Sequence, residues 1–199
     1  MERKPTQIRR AEIVQAAWEL IMEEGVHGLT IKNICRKNNI TEAAVYRHFA
    51  DKHAILMALI DSFEVNLMQA LDNPIRNYRN PLQRLKEVMK THMAFTEEKK
   101  GILFAVTAES IHFNDDELRR RILDVINRYR DRIKEMLKEA KNEGLLREDT
   151  NLDAASLTFF GLIQAAIVQY ALTSYTIPPI SKFNTLWDIF LRGVQRCGA

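Results

Sequence analysis

Apolar residues recur every three or four positions along most of the chain, which is the spacing of residues that share one face of an α-helix. In the first such segment, residues 7–24, this stripe consists of Ile13, Ala17, Leu20 and Ile21. Gly25 follows directly, and a glycine there is typical of a helix C-terminus. The pattern therefore predicts a first helix that ends at Gly25.

Two short helical segments follow, and each is preceded by a threonine. The hydroxyls of Thr30 and Thr41 are suitable N-caps, because they can accept a hydrogen bond from a free N–H group of the first turn. Asn38 and Asn39 lie between the segments, and Asn tolerates the left-handed backbone of a tight turn. Two short helices joined in this way after a longer one predict a helix-turn-helix unit.

The remainder of the chain also has helical periodicity. Six further helices are predicted, over about residues 52–71, 81–98, 101–113, 115–144, 151–175 and 181–196. No convincing strand is predicted, since β-branched residues rarely alternate with polar ones. We therefore predict an all-α fold of about nine helices, with a helix-turn-helix domain over residues 1–52 and a second helical domain over residues 53–199.

Composition limits the class of protein. The chain is 46% hydrophobic and 28% charged, which is typical of a soluble globular protein. No apolar run approaches the roughly 20 residues that span a bilayer, and the N-terminus has no apolar signal segment. We therefore expect a cytoplasmic protein with no membrane partner. Cys35 and Cys197 give no disulfide framework and are expected to be free thiols.

The net charge of +3 is too small to identify a nucleic-acid-binding protein, so the arrangement of particular residues matters more. The second short helix has an unusual mixture of side chains, ITEAAVYRHFADK over residues 40–52. In a helix-turn-helix protein, the first turn of this helix enters the major groove. Glu42, Ala43 and Ala44 occupy that turn, where small side chains allow close approach and Glu42 can accept a hydrogen bond from a cytosine amino group.

The other residues of this helix divide into two sets. Val45 and Phe49, four residues apart, are expected to anchor the helix to the first two helices. Groups that can reach phosphates surround it: Tyr46, Arg47, His48 and Lys52. Lys32 faces out of the preceding helix and belongs with them. The alternative is a solvated helix whose Tyr and His only cover the core.

The segment from Gly25 to Lys52 resembles the DNA-binding domain of the TetR family of transcriptional repressors. The resemblance rests on ten residues in the order and spacing of the family: Gly25, Thr30, Ile34, Ile40, Thr41, Ala44, Tyr46, His48, Phe49 and Lys52. It implies that Thr30, Tyr46, His48 and Lys52 hold phosphates, while residues 41–44 and Arg47 read or flank bases.

Two positions depart from the family pattern. Cys35 stands where an alanine is usual, and Asn39 stands where the turn usually has a glycine. Neither change should break the unit, because cysteine is a small hydrophobe and asparagine accepts positive φ. A basic cluster at the N-terminus, Arg3, Lys4, Arg9 and Arg10, either adds DNA contacts or is a frayed, solvated tail.

The helix over residues 151–175 is apolar on nearly all sides, which predicts burial on more than one side. We expect it to pair, with the final helix, against the same helices of a second chain. The predicted interface residues are Leu157, Gly161, Ala165, Val168, Leu172, Phe183, Trp187, Phe190 and Val194. Such a homodimer suits a palindromic site on double-stranded DNA. The alternative is that these residues only close the core of one subunit.

The middle helices contain methionines and aromatic residues together with scattered polar groups. They suit an apolar effector site, although such residues more often form plain core. The candidate pocket residues are Phe63, Leu67, Met89, Met93, Phe104, Thr107, His112, Phe160 and Gln164. The TetR resemblance implies a site of this kind. Parts of the chain also resemble the branch with regulators of fatty-acid metabolism, which suggests a small-molecule effector such as a fatty acyl thioester.

An enzyme is not expected. Glu109 and His112 have the spacing of a carboxylate–imidazole metal pair, but a di-iron site needs a second such pair and two more carboxylates. We found no glycine-rich phosphate loop, zinc spacing or nucleophile triad, so no cofactor and no metal are predicted.

The sequence therefore predicts a ligand-responsive repressor that binds a palindromic operator as a homodimer. The alternative function keeps the fold but uses DNA as a scaffold for binding another protein, without a small effector.

Overall fold

The computed structural model of the protein describes residues 5–196. The described chain forms nine α-helices: α1 (Thr6–Glu24), α2 (Ile31–Asn38), α3 (Glu42–Tyr46), α4 (Lys52–Ile75), α5 (Pro81–Glu98), α6 (Ile102–His112), α7 (Asp116–Asn142), α8 (Leu152–Leu172) and α9 (Phe183–Val194). The prediction of an all-α fold of about nine helices is confirmed. The expectations for Arg3, Lys4 and Cys197 lie outside the described residues.

Local sequence signals set the ends of the first three helices. The Thr30 hydroxyl accepts a hydrogen bond from the backbone N–H of Asn33 at 3.1 Å, and the Thr41 hydroxyl accepts one from Ala44 at 3.2 Å. Asn39 closes α2 in the left-handed region with a φ of 52°. The two threonine caps and the asparagine turn are therefore as the sequence predicts.

The described residues divide into two compact units. The first comprises the residues up to Val65 together with Ile102–Leu123, and the second comprises Asn66–Gly101 and the residues from Asp124 onward. The predicted domain boundary after residue 52 falls within the first unit. Helix α6 and the start of α7 belong to the same unit as the helix-turn-helix, and the linear sequence gave no sign of this.

The core of the first unit is built from the apolar stripes of its helices. Trp18 of α1 stacks on Phe63 of α4 with ring centroids 6.1 Å apart. The fully buried residues include Ile13, Ala17, Leu29, Ile34, Val45, Ile55, Leu59 and Ile60. Burying a Val, Leu or Ile side chain contributes about 1.5–3 kcal/mol. The two helices of the helix-turn-helix therefore owe their positions mainly to this shared core.

In the second unit, α5 packs against α8 and α9. The predicted dimer residues of α9 are part of this core. Phe183, Trp187, Phe190 and Val194 are each less than 8% exposed, and Phe190 meets Phe159 of α8 edge-on at 5.2 Å. These four side chains point into their own subunit, and their assignment to a subunit interface stays a prediction. The apolar stripe of α9 is used inside the chain.

The expectation that no segment approaches the length of a membrane span also needs correction. Lys52–Asp72 of α4 and Leu152–Leu172 of α8 are long and apolar enough, by length and composition alone, to cross a membrane. The core helix of a soluble protein meets the same criteria. Leu59 and Phe63 of α4 and Phe159 and Ile163 of α8 are buried within their units, so much of this apolar surface serves packing.

Candidate DNA-binding surface

Helix α3 has one buried side and one exposed side. Val45 is fully buried and Phe49, just beyond the helix, is 2% exposed. On the other side Glu42, Ala43 and Arg47 are exposed, and the Tyr46 side chain is 51% exposed. The exposed side therefore carries a carboxylate, a methyl group, a hydroxyl and a guanidinium group, all of which can meet base edges or phosphates.

Arg10 of α1 contacts His48 and Phe49, which follow α3. Its guanidinium carbon lies 4.1 Å from the centroid of the Phe49 ring, and its Nη1 donates a hydrogen bond to the carbonyl oxygen of His48. Arg9 forms an ion pair with Glu12 at 2.9 Å. Both arginines lie within α1, so the description of them as part of a frayed tail is wrong. The sequence did not single out Arg10 as a support for α3, which we call the reading helix.

The start of α2 provides a second exposed edge. Thr30 and Lys32 are exposed, and the Thr30 hydroxyl is already engaged as the N-cap. The free N–H groups and the dipole of a helix N-terminus favour an anion. Thr30 and Lys32 therefore suit phosphate contacts, whereas α3 presents the groups that suit base contacts.

The side chains of Lys52 and His48 are less exposed to solvent than those of Tyr46 and Arg47. Both are only partly exposed. The Lys52 ammonium lies 3.8 Å from Oε1 of Glu109 on α6, and the Nδ1 atom of His48 is buried without a hydrogen-bond partner. Lys52 can therefore reach a phosphate only by leaving Glu109 or by sharing its charge with it.

Further contacts between ionisable side chains join α4 to the segment that follows α6. His53 Nε2 lies 3.3 Å from Asp115, and Arg121 of α7 lies 2.6 Å from Asp61 and 2.7 Å from Glu64. Arg121 is only 19% exposed, and these carboxylates raise its pKa although burial opposes the shift. Arg121 of α7 is thus engaged inside the first unit.

The candidate effector residues are divided between the two units. Phe63, Phe104, Thr107 and His112 belong to the first unit, and Leu67, Met89, Met93, Phe160 and Gln164 belong to the second. Within the first unit, the Thr107 hydroxyl donates to the Leu103 carbonyl at 2.7 Å, and His112 is exposed beside the Phe113 ring. His112 therefore does not line a closed pocket in this unit.

In the second unit, Met89 and Met93 of α5 are fully buried, and Phe160 of α8 lies 5.9 Å from the Tyr129 ring of α7. Two buried polar residues that the sequence did not single out, His92 and Tyr129, occur in the same core.

An open groove of about 730 Å³ lies along α1 in the first unit. Its lining includes Ile8, Val14, Trp18 and Phe49, with Glu19 and Lys37 among the charged residues. Lys37 is paired with Glu23 at 2.9 Å and Glu19 at 3.2 Å. The candidate effector residues do not line this groove.

No group of three or more His, Cys, Asp or Glu side chains within residues 5–196 is arranged to hold a metal ion. Glu109 contacts Lys52, and His112 packs on Phe113. The only pair with metal-like spacing that the sequence offered within one helix is therefore engaged in other contacts.

Two family matches cover most of the chain. Residues 13–59 match the family described as bacterial regulatory proteins, tetR family, and residues 79–195 match the tetracyclin repressor-like C-terminal domain. The first match contains α2 and α3, and the second contains α5 to α9.

The chain is similar over nearly its whole length to proteins named nucleoid occlusion factor SlmA. The protein of Aliivibrio fischeri (strain MJ11) is 28% identical over 200 residues, which covers 97% of this chain and 98% of the relative. The protein of Vibrio cholerae is 28% identical over 188 residues, covering 91% and 93%.

Solved structures with the same fold include two regulators named FadR. The fatty acid degradation regulator of Bacillus halodurans has a TM-score of 0.83 at 18% identity, covering 98% of this chain and all of the other. The Bacillus subtilis protein, in complex with stearoyl-CoA, has a TM-score of 0.79 at 18% identity, covering 93% and 99%. At this identity the likeness shows the fold alone.

Proposed function

Because the chain belongs to the TetR family of DNA-binding transcriptional regulators, we propose that it represses transcription as a ligand-responsive homodimer on a palindromic operator. The observation that carries the proposal is the exposed side of α3, with Glu42, Ala43, Tyr46 and Arg47 turned to solvent and Val45 buried behind them. A helix of this kind can enter a major groove without any unfolding of the unit.

A homodimer is supported by the apolar side that α8 leaves uncovered. Leu157 and Leu172 are 54% and 80% exposed, Gly161 and Ala165 are exposed, and Val168 is partly exposed. Small residues in such a row let a second helix approach closely. A two-fold pair would present two α3 helices to half-sites about 34–36 Å apart, or a multiple of that distance. We assign the interface to this ridge of α8 rather than to the buried side of α9.

The proposed response to an effector acts through α6 and α4. A ligand can release DNA only by favouring a conformation that binds DNA less well. The pairs Lys52–Glu109 and His53–Asp115 tie the end of α6 and the residues after it to the start of α4, directly after the reading helix. A shift of α6 would therefore change the contact between Glu109 and Lys52. Coupling of about 1–3 kcal/mol would lower operator affinity roughly 5- to 150-fold.

An apolar, acyl-type effector is supported by two observations. The second unit contains buried Met89 and Met93 beside aromatic residues, and methionine side chains adapt readily to an apolar ligand. The FadR protein of Bacillus subtilis, which shares the fold, was solved with stearoyl-CoA. A fatty acyl thioester is therefore the effector class that we would test first.

A second function is favoured by the similarity to nucleoid occlusion factors, which is higher in identity than that to the FadR structures. In this alternative the chain uses DNA as a scaffold for another protein and needs no small effector. The two functions differ in one measurable property. A scaffold keeps its operator affinity in the presence of fatty acyl thioesters, whereas the proposed repressor loses it.

The experiment begins with selection of DNA fragments that the purified protein retains, followed by binding measurements on the recovered site. Tyr46→Phe and Lys52→Ala should weaken binding to all sequences alike, and Lys52→Ala should lower the salt slope by about 0.9, because one phosphate contact is lost. Glu42→Ala should instead relax preference at one base position.

Lys86→Ala is a suitable control, since Lys86 is an exposed lysine on α5 in the second unit. It should change neither affinity nor salt slope. A Lys52→Ala protein with the affinity and salt slope of the unmodified protein would contradict the assigned surface. Addition of acyl thioesters to the same assay then separates the repressor from the scaffold.

A further inference from the structure

Two polar side chains are buried in the second unit without hydrogen-bond partners. His92 of α5 is 4% exposed and Tyr129 of α7 is 2% exposed. Neither the His92 Nδ1 atom nor the Tyr129 hydroxyl has a hydrogen-bond partner. The two rings meet edge-on with centroids 4.9 Å apart, so both polar atoms belong to one small region. Buried polar groups are paired in most proteins, and unpaired ones at a shared place call for a partner.

The surroundings of this pair are apolar and adaptable. Met89 lies one helical turn from His92 on the same side of α5, Met93 is the next residue after His92, and both are fully buried. Phe160 of α8 flanks Tyr129 at 5.9 Å between ring centroids. Methionine side chains can change rotamer to admit an apolar chain, whereas the aromatic rings keep the polar atoms in place. The region therefore has the composition of a small-molecule site, with few polar groups among many apolar ones.

We propose that His92 and Tyr129 form the polar end of an effector site that takes one uncharged oxygen, a hydroxyl or a carbonyl, on an otherwise apolar molecule. This assignment rests on the proposed effector-responsive function and adds the chemistry of the ligand to it. A tyrosine hydroxyl can donate or accept, and a neutral imidazole has one donor and one acceptor nitrogen. A ligand hydroxyl can satisfy both atoms, and a carbonyl oxygen can accept from both.

The electrostatics of the region disfavour a charged ligand group. Burial lowers the pKa of His92 to about 4 and raises the pKa of Tyr129 above its ordinary value, so both side chains are neutral at pH 7. Arg132, whose charge acts on Tyr129, already forms an ion pair with Asp72. Arg130 directs its guanidinium to Ser156 and the Asp153 carbonyl oxygen. A carboxylate placed beside the neutral His92 and Tyr129 side chains would therefore lose its hydration.

A matched set of ten-carbon probes tests the assignment: decan-1-ol, decan-2-one and decanoate, each titrated into the full-length protein at pH 7.5. We expect the alcohol and the ketone to bind at least tenfold more tightly than decanoate. Tyr129→Phe and His92→Phe should each weaken alcohol and ketone binding about 2- to 12-fold, the value of one net hydrogen bond. Calorimetry gives the affinities, and the shift in Tm gives an independent reading.

Tyr170→Phe is the matched control. Tyr170 is also a buried tyrosine of the second unit, but its hydroxyl lies 3.4 Å from the Glu97 carbonyl oxygen. Its loss should leave the preference for the neutral probes unchanged. Tyr129→Phe should also raise the Tm of the ligand-free protein, since it removes an unpaired buried hydroxyl. A lowered Tm would show a structural partner for that hydroxyl and would count against the assignment.

Three results would overturn the proposal: decanoate binding as tightly as the neutral probes, neutral binding that is unchanged in both variants, or no binding of any probe. Operator release is measured in parallel with acyl thioesters on the same variants. Release that persists equally in Tyr129→Phe and His92→Phe would leave the repressor function standing and would overturn only this assignment. Absence of release by any ligand, with neutral probes still bound at His92 and Tyr129, would instead contradict the repressor function alone.

Discussion

At the scale of single residues, burial changes the acid–base chemistry of His92 most clearly. A histidine in water has a pKa of 6.5, and burial of His92 lowers it to about 4 because the imidazolium cannot be hydrated. The neutral ring then offers one donor and one acceptor nitrogen. Arg10 is a different case, since its guanidinium lies over the Phe49 ring at 4.1 Å. Each side chain owes its role to what surrounds it.

The His92 pKa predicts a pH dependence of stability. Below pH 6.5 the unfolded chain binds a proton at His92 that the folded protein does not, so acid favours unfolding. Between pH 7 and pH 4, the unmodified protein should lose about 3 kcal/mol of unfolding free energy more than His92→Phe. Urea denaturation of both proteins at several pH values measures the difference. Parallel stability curves across this range would refute the depressed pKa.

At the scale of elements, α4 begins shortly after the reading helix and forms ion pairs with α6 and α7. Its first residue, Lys52, contacts Glu109, and Asp61 and Glu64 further along contact Arg121. Partly exposed pairs contribute little to stability, about 0.2–1 kcal/mol each. Their importance lies in position, because Lys52 is the residue that would also hold a phosphate.

Glu109→Gln should therefore strengthen DNA binding. It leaves Lys52 without its carboxylate, so less energy is needed to move the ammonium to a phosphate. We expect a gain in operator affinity of about 1.4- to 5-fold, the equivalent of one exposed ion pair. The same substitution in a Lys52→Ala background serves as the control and should have a much smaller effect. An equal gain in both backgrounds would mean that Glu109 acts by general repulsion of DNA.

At the scale of the whole molecule, the apolar face that α8 leaves uncovered is the basis of the proposed subunit interface. The exposed ridge of α8 contains Leu157 and Gly161, and a Cβ atom added at Gly161 would meet no neighbouring side chain or other element within 4 Å. On α9, Trp187 is 4% exposed and belongs to the core of the subunit. The apolar side of α9 thus packs inside the subunit, whereas the exposed ridge of α8 forms the proposed interface.

Gly161→Arg should convert the protein to a folded monomer, because the chain has room for the side chain and a close helix pair does not. Sedimentation analysis measures the state. Affinity for a palindromic operator should fall by on the order of 100-fold, since the second half-site no longer benefits from linkage. Trp187→Ala is the contrasting variant and should lower the unfolding free energy by about 3–5 kcal/mol. A Gly161→Arg protein that stays dimeric would exclude the α8 ridge as the interface.

The sequence by itself determined the helices and several of their ends. Others differ, since α4 runs to Ile75 where about residue 71 was predicted, and α8 ends at Leu172 where residue 175 was predicted. Caps such as Thr30 and Thr41, and the left-handed turn at Asn39, depend on neighbours within a few residues, so local pattern is enough to predict them. The family resemblance on residues 25–52 added the DNA-binding role, and the TetR membership is confirmed. The individual base and phosphate contacts remain predictions.

Only the tertiary structure decided which partners distant side chains find. An apolar stripe specifies burial but not the surface that covers it, so Phe183 and Trp187 were assigned to a second chain when their own subunit buries them. In the same way, Glu109 meets Lys52 across 57 positions of sequence, and His92 meets Tyr129 from another helix. The physical reason is that contacts between helices depend on packing in three dimensions, and no local periodicity records them.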